Sequence, residues 1–498
     1  MGAQTLEDWE KMRDDLTFRN QAFIDGKYTD AASGKTFECV SPIDGRVLTQ
    51  VAACDVEDVN RAVGAARKVF DAGSWSEESP AVRKKVLLKL AQLILGNADE
   101  LALLETLDMG KPISLAKAVD MTGVANSFQW YGEAIDKIYD EIAPTDKSGL
   151  GLITREPLGV VGAVVPWNFP LLMAAWKIAP MLAAGNSVVL KPAEQSPLTA
   201  IRLAELAVEA GLPEGVLNVL PGFGETAGQA IGRHMDVDAI SFTGSTEVGK
   251  YFLKYAGDSN MKVVSLECGG KSPNIVFGDA PSLDAAAQQA GMSIFFNSGQ
   301  VCVASSRLLV QEDIKDEFLE KVKAVGQFMQ PNNPLDPSTM MGSMVDKTQT
   351  QRVLGYIEAG EKEGAKVALG GKQVRQNSGG EYIEPTIFDN VKNDMKIAQE
   401  EIFGPVLSTL TFKDPEEAVK IANDSIYGLQ ACLWTNDLTK AHKIARKLRA
   451  GTVNINNTNG GGNVMPFGGY KQSGIGRDGS LHALEKYTQL KSTYIHLG

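Results

Sequence analysis

Cys302 closes the segment Phe296-Asn297-Ser298-Gly299-Gln300-Val301-Cys302, and Glu267 lies upstream in Leu266-Glu267-Cys268-Gly269-Gly270-Lys271. A cysteine attacks carbonyl carbon once it is ionised. A partly buried carboxylate, its proton affinity raised, can activate water. The chain before them reads as a nucleotide-binding α/β sheet. A thiol nucleophile, a carboxylate base and a nicotinamide site together suit oxidation of an aldehyde through a thioester.

Each residue also has a plainer reading. Free cysteines are most often buried and apolar, which is the expectation for Cys268 and Cys432. The break Asn297-Ser298-Gly299 sets Cys302 on a loop, where a rigid scaffold often carries its nucleophile. Glu267 ends an apolar strand beside glycines, where α/β folds bind ligands, yet it could be an ordinary charge at a strand end. Phe242–Gly249 runs from strand to helix through Gly244, a turn suited to a pyrophosphate. It lacks the pattern G-x-G-x-x-G and serves equally as a tight turn.

The elements that must position these residues alternate. Strands are expected at Val160–Val165, Ser187–Leu190, Val216–Leu220, Ala239–Phe242 and Lys262–Leu266. Helices are expected between them at Leu171–Leu182, Thr199–Ala210, Thr226–Ile231 and Glu247–Tyr255. Such β-α units predict a doubly wound parallel sheet with right-handed crossovers. Helices are also expected at Asp55–Asp71, with an apolar stripe of Val59, Ala62, Val63 and Ala66, and at Ala81–Leu107. After Glu267 a second α/β lobe is expected, with strands Asn274–Phe277, Arg307–Gln311 and Lys366–Leu369. Its helices fall within Leu283–Phe296, Thr348–Glu363 and Pro415–Asn423. Asn457–Met465, with three consecutive glycines, is a loop, and Thr488–His496 is a strand suited to edge pairing.

The 498 residues exceed one compact core and suit two or three lobes, and the 44% apolar content can fill them. Lys and Arg number 49 against 61 Asp and Glu, and this net charge of −12 argues against a nucleic-acid partner. Five scattered cysteines suit a reducing compartment, so a cytoplasmic location is expected. Four histidines without ligand spacing predict no metal site. Met1–Asp15 is polar and is no signal peptide. Met1-Gly2 invites N-acylation, but Leu6 stands where Ser or Thr is required. Gly159–Leu190 is apolar, yet Pro166, Asn168, Pro170, Lys177, Pro180 and Asn186 argue against a membrane span.

Over nearly its whole length the sequence resembles the NAD(P)-dependent aldehyde dehydrogenase superfamily. The resemblance is carried by Pro166-Trp167-Asn168-Phe169-Pro170, Lys191-Pro192-Ala193-Glu194, Phe242–Gly249, Leu266–Lys271 and Gly299–Cys302. Glu401-Ile402-Phe403-Gly404-Pro405 and Pro466-Phe467-Gly468-Gly469 follow in family order. Trp130–Lys137 and Ser480–Lys486 resemble the bacterial γ-glutamyl-γ-aminobutyraldehyde and guanidinobutyraldehyde dehydrogenases. The likeness implies an NAD-binding domain at 1–138 and 158–266 and a catalytic domain at 267–466. It implies oligomerisation or bridging segments at 139–157, a hairpin, and at 467–498, giving a homodimer or homotetramer.

Roles follow from the same likeness. Cys302 resembles the nucleophile, and Asn168 with the Cys302 N–H the oxyanion hole. Glu267 resembles the base for the hydrolytic water and Lys177 a proton-relay residue. Asp478 stands where many relatives carry glutamate, which weakens a two-carboxylate relay. Lys191 and Glu194 resemble the adenosine-ribose contacts, and Glu401, with Phe403 nearby, the nicotinamide-ribose contact. Val165, Pro166, Trp167, Gly224, Phe242, Gly244, Ser245, Val248 and Leu266 complete the implied cofactor site. Glu194 favours NAD over NADP, since an acid repels a 2′-phosphate.

The aligned tunnel positions Phe169, Met173, Trp176, Phe296, Val301, Val303 and Phe467 are apolar or aromatic, and the plainer reading assigns several of them to the core. The rim, with Asn459 and Gly461 where relatives often have an acid and an aromatic, carries no charge. A cationic aldehyde would need carboxylates there. The expected substrate is therefore an uncharged aromatic or aliphatic aldehyde such as an arylacetaldehyde. The alternative is a γ-glutamylamino- or guanidino-butyraldehyde of polyamine or arginine catabolism. A CoA-acylating enzyme would not need Glu267, and a non-catalytic NAD-binding protein would not need Cys302, Glu267 and Asn168 together.

Overall fold

The computed structural model describes residues 4–498. The Met1-Gly2 signal lies outside them. The first sheet has eight strands, of which five are parallel: Leu217–Val219, Ser187–Lys191, Val160–Val164, Ala239–Thr243 and Val263–Glu267, in that spatial order. Val160–Val164 and Ser187–Lys191 are buried throughout, as unbroken apolar runs require when helices cover both faces. Winding reverses between Val160–Val164 and Ala239–Thr243, and ligands bind at the carboxyl ends of strands beside such a reversal. The doubly wound sheet expected from the sequence is thus present.

Several boundaries differ from the sequence reading. Ala81–Leu107 is two helices, Pro80–Gly96 and Ala98–Met109. They part at Asn97, whose side chain donates to the Leu93 carbonyl at 2.8 Å and competes with the helical ladder. The short helix expected at Thr226–Ile231 starts as a wide π-turn at Gly224–Gly228 and continues as Gln229–Arg233. The N-terminal region also supplies Ala22–Ile24 and Lys27–Thr29 to the first sheet, and Gly474–Ile475 closes its other edge.

The second lobe has a seven-stranded sheet centred on Val406–Phe412, Arg307–Gln311 and Pro273–Val276. It is parallel except at the edge strand Lys366–Leu369. In the third sheet, Thr488–His496 pairs antiparallel with Gly149–Pro157, which also holds Glu141–Ala143. This sheet leaves Ile142, Leu490 and Tyr494 exposed. Among the described residues no helix is long and apolar enough to cross a membrane.

The approach to Cys302 runs through left-handed backbone. Helix Leu283–Phe295 ends, and Asn297, Ser298 and Gly299 follow with φ of 50°, 55° and 72°. Left-handed backbone is costly for residues with a Cβ, so the surroundings must enforce it. Asn297 Nδ2 donates to the Asn168 carbonyl at 2.9 Å, and Ser298 Oγ to the Gly342 carbonyl at 3.0 Å. Gln300 Nε2 donates to the Asn297 carbonyl at 3.2 Å, while its Oε1 accepts the Val345 N–H at 2.9 Å. A Cβ on Gly299 would lie 2.0 Å from the Gly404 carbonyl oxygen. Gly299→Ala therefore should destabilise the fold by about 2 kcal/mol or more, combining φ strain with a backbone clash. Thermal unfolding and steady-state rates check this, and a variant with native stability and rate would refute the close approach.

Candidate active site

A cleft of about 210 Å³ opens beside the carboxyl ends of the first sheet and is lined by Cys302, Glu267, Asn168, Glu401, Phe403 and Thr243, among others. Cys302 is partly exposed, whereas the other four cysteines are buried, as expected for Cys268 and Cys432. Burial pushes the Cys302 thiol up to about 12, with Glu401 and Glu267 adding to the rise. The N–H groups of Val303 and Cys302 oppose it. The resting thiol is therefore protonated and needs a base or a nearby positive charge to attack.

Asn168 follows Val160–Val164 on the turn into helix Pro170–Ala184, which Pro170 begins without losing an intrahelical bond. Its Nδ2 donates to the Gln300 carbonyl at 2.8 Å. One N–H is spent there, and the second remains for a ligand in the cleft. Glu267, the last residue of its strand, is buried, and neither carboxylate oxygen has a protein partner. Burial and the Asp478 charge raise its proton affinity well above an ordinary glutamate, against the pull of Lys486 and Lys177.

Behind Glu267 lies a buried polar chain. Lys177 donates to Ser241 Oγ at 3.2 Å and pairs with Asp478 at 3.3 Å. Asp478 also pairs with Lys486, and Tyr487 donates to Ser241 Oγ at 2.9 Å. Burial alone would raise the Asp478 carboxyl, but the two lysines outweigh it and hold it below its ordinary range. Burial lowers Lys177, with Asp478 partly offsetting it. Lys486, Ser241 and Tyr487 had no role in the sequence reading. Lys486 falls in the motif at 480–486 and Ser241 in the expected strand Ala239–Phe242, but only the fold joins them to Lys177, Lys486 through Asp478 and Ser241 directly.

The cofactor positions divide into two groups. Pro166, Trp167, Gly244, Ser245, Glu401 and Phe403 line the cleft. Val165 is buried, bonded to the Lys191 carbonyl at 3.1 Å, and Lys191 Nζ donates to the Pro192 carbonyl at 2.8 Å and to Glu194 at 3.2 Å. Phe242 and Leu266 are core, Val248 is exposed, and Gly224 opens its turn beside free space. Ser245 caps helix Thr246–Gly257 by accepting the Val248 N–H at 3.2 Å.

This donor set fits a dinucleotide. The strand-to-helix turn reaches the cleft at the sheet's reversal, and the buried Thr243 hydroxyl has no protein partner. Glu401 accepts the Gly270 N–H at 2.9 Å, and burial raises its carboxyl to about 7 despite that bond. Phe403 stands at φ 59°, braced by the Trp167 ring at 5.2 Å and by Gln349, which donates to its carbonyl at 2.8 Å.

The substrate positions are brought together only in part. Met173, Trp176 and Phe467 line the cleft, with Trp176 and Phe467 edge to face at 5.2 Å. Phe169 is buried, stacked on Phe296 at 6.2 Å and under Lys111 Nζ at 4.0 Å. Val301 packs on the second lobe's core. The Val303 carbonyl accepts from Gln430, and Asn459 is exposed on the rim loop.

Comparison with known proteins agrees with this geometry. The profile of the aldehyde dehydrogenase family matches residues 28–493. The "NADP/NAD-dependent aldehyde dehydrogenase PuuC" of Escherichia coli (strain K12) is 53% identical over 498 residues, covering 100% of both chains. The P. syringae AldA indole-3-acetaldehyde dehydrogenase, solved with NAD+ and IAA, is 59% identical with a TM-score of 0.99, covering 99% of this chain and 100% of that one. The γ-glutamyl-γ-aminobutyraldehyde dehydrogenase of Burkholderia cenocepacia J2315 is 59% identical with a TM-score of 0.98 and the same coverage. With a thiol, an amide donor and a buried carboxylate converging at a dinucleotide-shaped cleft, the chain belongs to the aldehyde dehydrogenase family.

Proposed function

We propose that this chain oxidises uncharged aromatic or aliphatic aldehydes, arylacetaldehydes among them, to carboxylic acids with NAD. The observation that carries the substrate class is the apolar and aromatic cleft wall of Met173, Trp176 and Phe467. Glu401 is engaged by Gly270, Asp478 by two lysines, and Glu267 is held for water. The second reading, a γ-glutamylamino- or guanidino-butyraldehyde, is favoured by the likeness to the Burkholderia enzyme.

The chain's own groups divide the reaction. The Cys302 thiol gives up its proton to solvent in the cleft, its sulfur bonds to the aldehyde carbon, and the developing oxyanion takes the free Asn168 N–H and the Cys302 backbone N–H. NAD supplies the hydride acceptor. The carbon is then held on Cys302 as a thioester, water adds to it, and Glu267 takes the water's proton. The acid leaves and the thiol is restored. Residues 1–138 and 158–266 form the NAD-binding domain in this reading, and 267–466 the catalytic domain. Glu194, on the turn after the strand Ser187–Lys191 and paired with Lys191, excludes a 2′-phosphate. The exposed third sheet, 139–157 with the C-terminal strand, supports a homodimer or homotetramer. Five free cysteines support a reducing, cytoplasmic setting.

Cys302→Ala should bind NAD and form no NADH with any aldehyde. Glu267→Gln should keep a pre-steady-state burst of NADH and lose steady turnover. A normal steady rate in either variant contradicts its role.

A panel of aryl, alkyl, amino- and guanidino-aldehydes, run with NAD and with NADP, tests substrate and cofactor together. The highest kcat/KM is expected for aryl or alkyl aldehydes with NAD. A clear preference for cationic aldehydes would restore the second reading, and equal rates with NADP would remove the selective role of Glu194.

The Glu267 base works only when ionised, so hydrolysis rises as pH passes its raised pKa. Asp478→Asn removes a neighbouring negative charge and leaves Lys177 and Lys486 uncompensated, which lowers that pKa. The acid limb of the kcat profile is therefore expected to move to lower pH. A limb that stays in place or moves upward would show that Asp478 does not set the base.

A further inference from the structure

We infer that Lys486 is a positioning residue for thioester hydrolysis: it ties down Asp478, so that Asp478 does not share a proton with the base Glu267. The inference rests on the aldehyde-oxidising reading above and concerns its hydrolytic half. Glu267 and Asp478 line the same cleft as Cys302. Two carboxyl groups facing one enclosed space share a proton unless their surroundings separate them. Here contacts make the separation. Asp478 Oδ1 pairs with Lys486 and Oδ2 with Lys177 at 3.3 Å, whereas neither Glu267 oxygen has a protein partner.

Lys177 reaches only one of the Asp478 oxygens, and its ammonium also donates to Ser241 Oγ at 3.2 Å. Lys486 follows the short helix His482–Glu485, with its side chain almost buried and Nζ 5.0 Å from the centroid of the Tyr487 ring. Tyr487 donates to Ser241 Oγ at 2.9 Å. Two chain neighbours thus grip the Lys177–Asp478 pair from opposite ends, Lys486 at the carboxylate and Tyr487 through Ser241. Asp478 is fixed beside the base by two backbone bonds of 2.7 Å exchanged with Phe467. The next residue, Gly468, lies so close that a Cβ there would stand 2.8 Å from Glu267 Oε1. The other titratable groups nearby are engaged elsewhere or lie in the cleft. Arg477 donates to the Gly469 and Gly476 carbonyls, Tyr131 to the Ser480 carbonyl, and Cys302 lines the cleft. Without the Lys486 ammonium, Asp478 Oδ1 has no charged partner left among the described residues.

Lys486→Met keeps most of the side-chain length and removes the ammonium. With propanal and NAD, the pre-steady-state burst of NADH should form within about twofold of the wild-type rate, because Glu267 acts only after hydride transfer. Steady-state kcat at neutral pH should fall about tenfold, and the acid limb of the kcat profile should move up by about one pH unit. The direction follows from sign: loss of a nearby cation favours protonated Glu267, and hydrolysis needs it ionised. It is opposite to the shift expected for Asp478→Asn, which removes an anion. The double variant Asp478→Asn, Lys486→Met removes both partners of one pair, and its limb should lie above that of Asp478→Asn alone. That comparison carries the test if Lys486→Met does not fold. Parallel losses of burst rate and steady rate, or a limb that stays in place or moves down in Lys486→Met, would overturn the role of Lys486. So would a double variant titrating at or below Asp478→Asn. Failure of the wild type to form NADH from propanal would instead sink the aldehyde-oxidising reading.

Discussion

The site depends on keeping three consecutive residues, Asn297 to Gly299, in left-handed backbone just before the thiol. No local preference of Asn or Ser sustains that path for more than a single residue. It persists because side-chain amides and a hydroxyl bond to backbone groups from two other segments, around 168 and 342–345. The same contacts orient Asn168, since Gln300 gives its carbonyl to Asn168 Nδ2 and Asn297 donates to the Asn168 carbonyl. The Cys302 loop and Asn168 are therefore fixed by one network, and neither can shift without the other. This is how a loop attains the precision more often found on helices and strands.

A second constraint is the placement of charge. Glu267 and Asp478 are both buried carboxylates near the same two lysines, yet their proton affinities move in opposite directions. Asp478 bonds to both ammonium groups, which offsets its desolvation. Glu267 has no partner for either oxygen and is left with the desolvation and the repulsion. Two neighbouring acids thus become one fixed anion and one adjustable base. This separation suits proton handling better than two equivalent carboxylates would.

Much of this was legible in the chain, and the reasons differ by level. The parallel sheet declared itself because strands buried on both faces must be apolar throughout, as Val160–Val164 is. Glu267 stood out because it ends such a strand beside two glycines, where α/β folds bind ligands. The break at Asn97 was hidden because its cause is a single side-chain bond inside an otherwise helical pattern. Lys486 and Ser241 were hidden for another reason. Their partners are 8 and 64 residues away from them, at Asp478 and Lys177, and only the packed fold brings the four together.

The substrate wall was read least well, and the physics explains why. Apolar residues at aligned positions face either a ligand or the core, and sequence pattern does not separate the two. Phe169 and Phe296 proved to be a stacked pair behind the wall, with Lys111 beneath, whereas Met173, Trp176 and Phe467 face the cleft. A buried ammonium over an aromatic ring, itself paired with Glu105 and Asp120, makes a stiff backing for Asn168's neighbour. The aromatic residues near the thiol therefore fall into two groups: an inner pair that packs behind the turn carrying Asn168, and an outer pair, Trp176 and Phe467, that lines the cleft. Selectivity for the aldehyde should then be adjustable at the outer set without disturbing the geometry that the inner pair maintains.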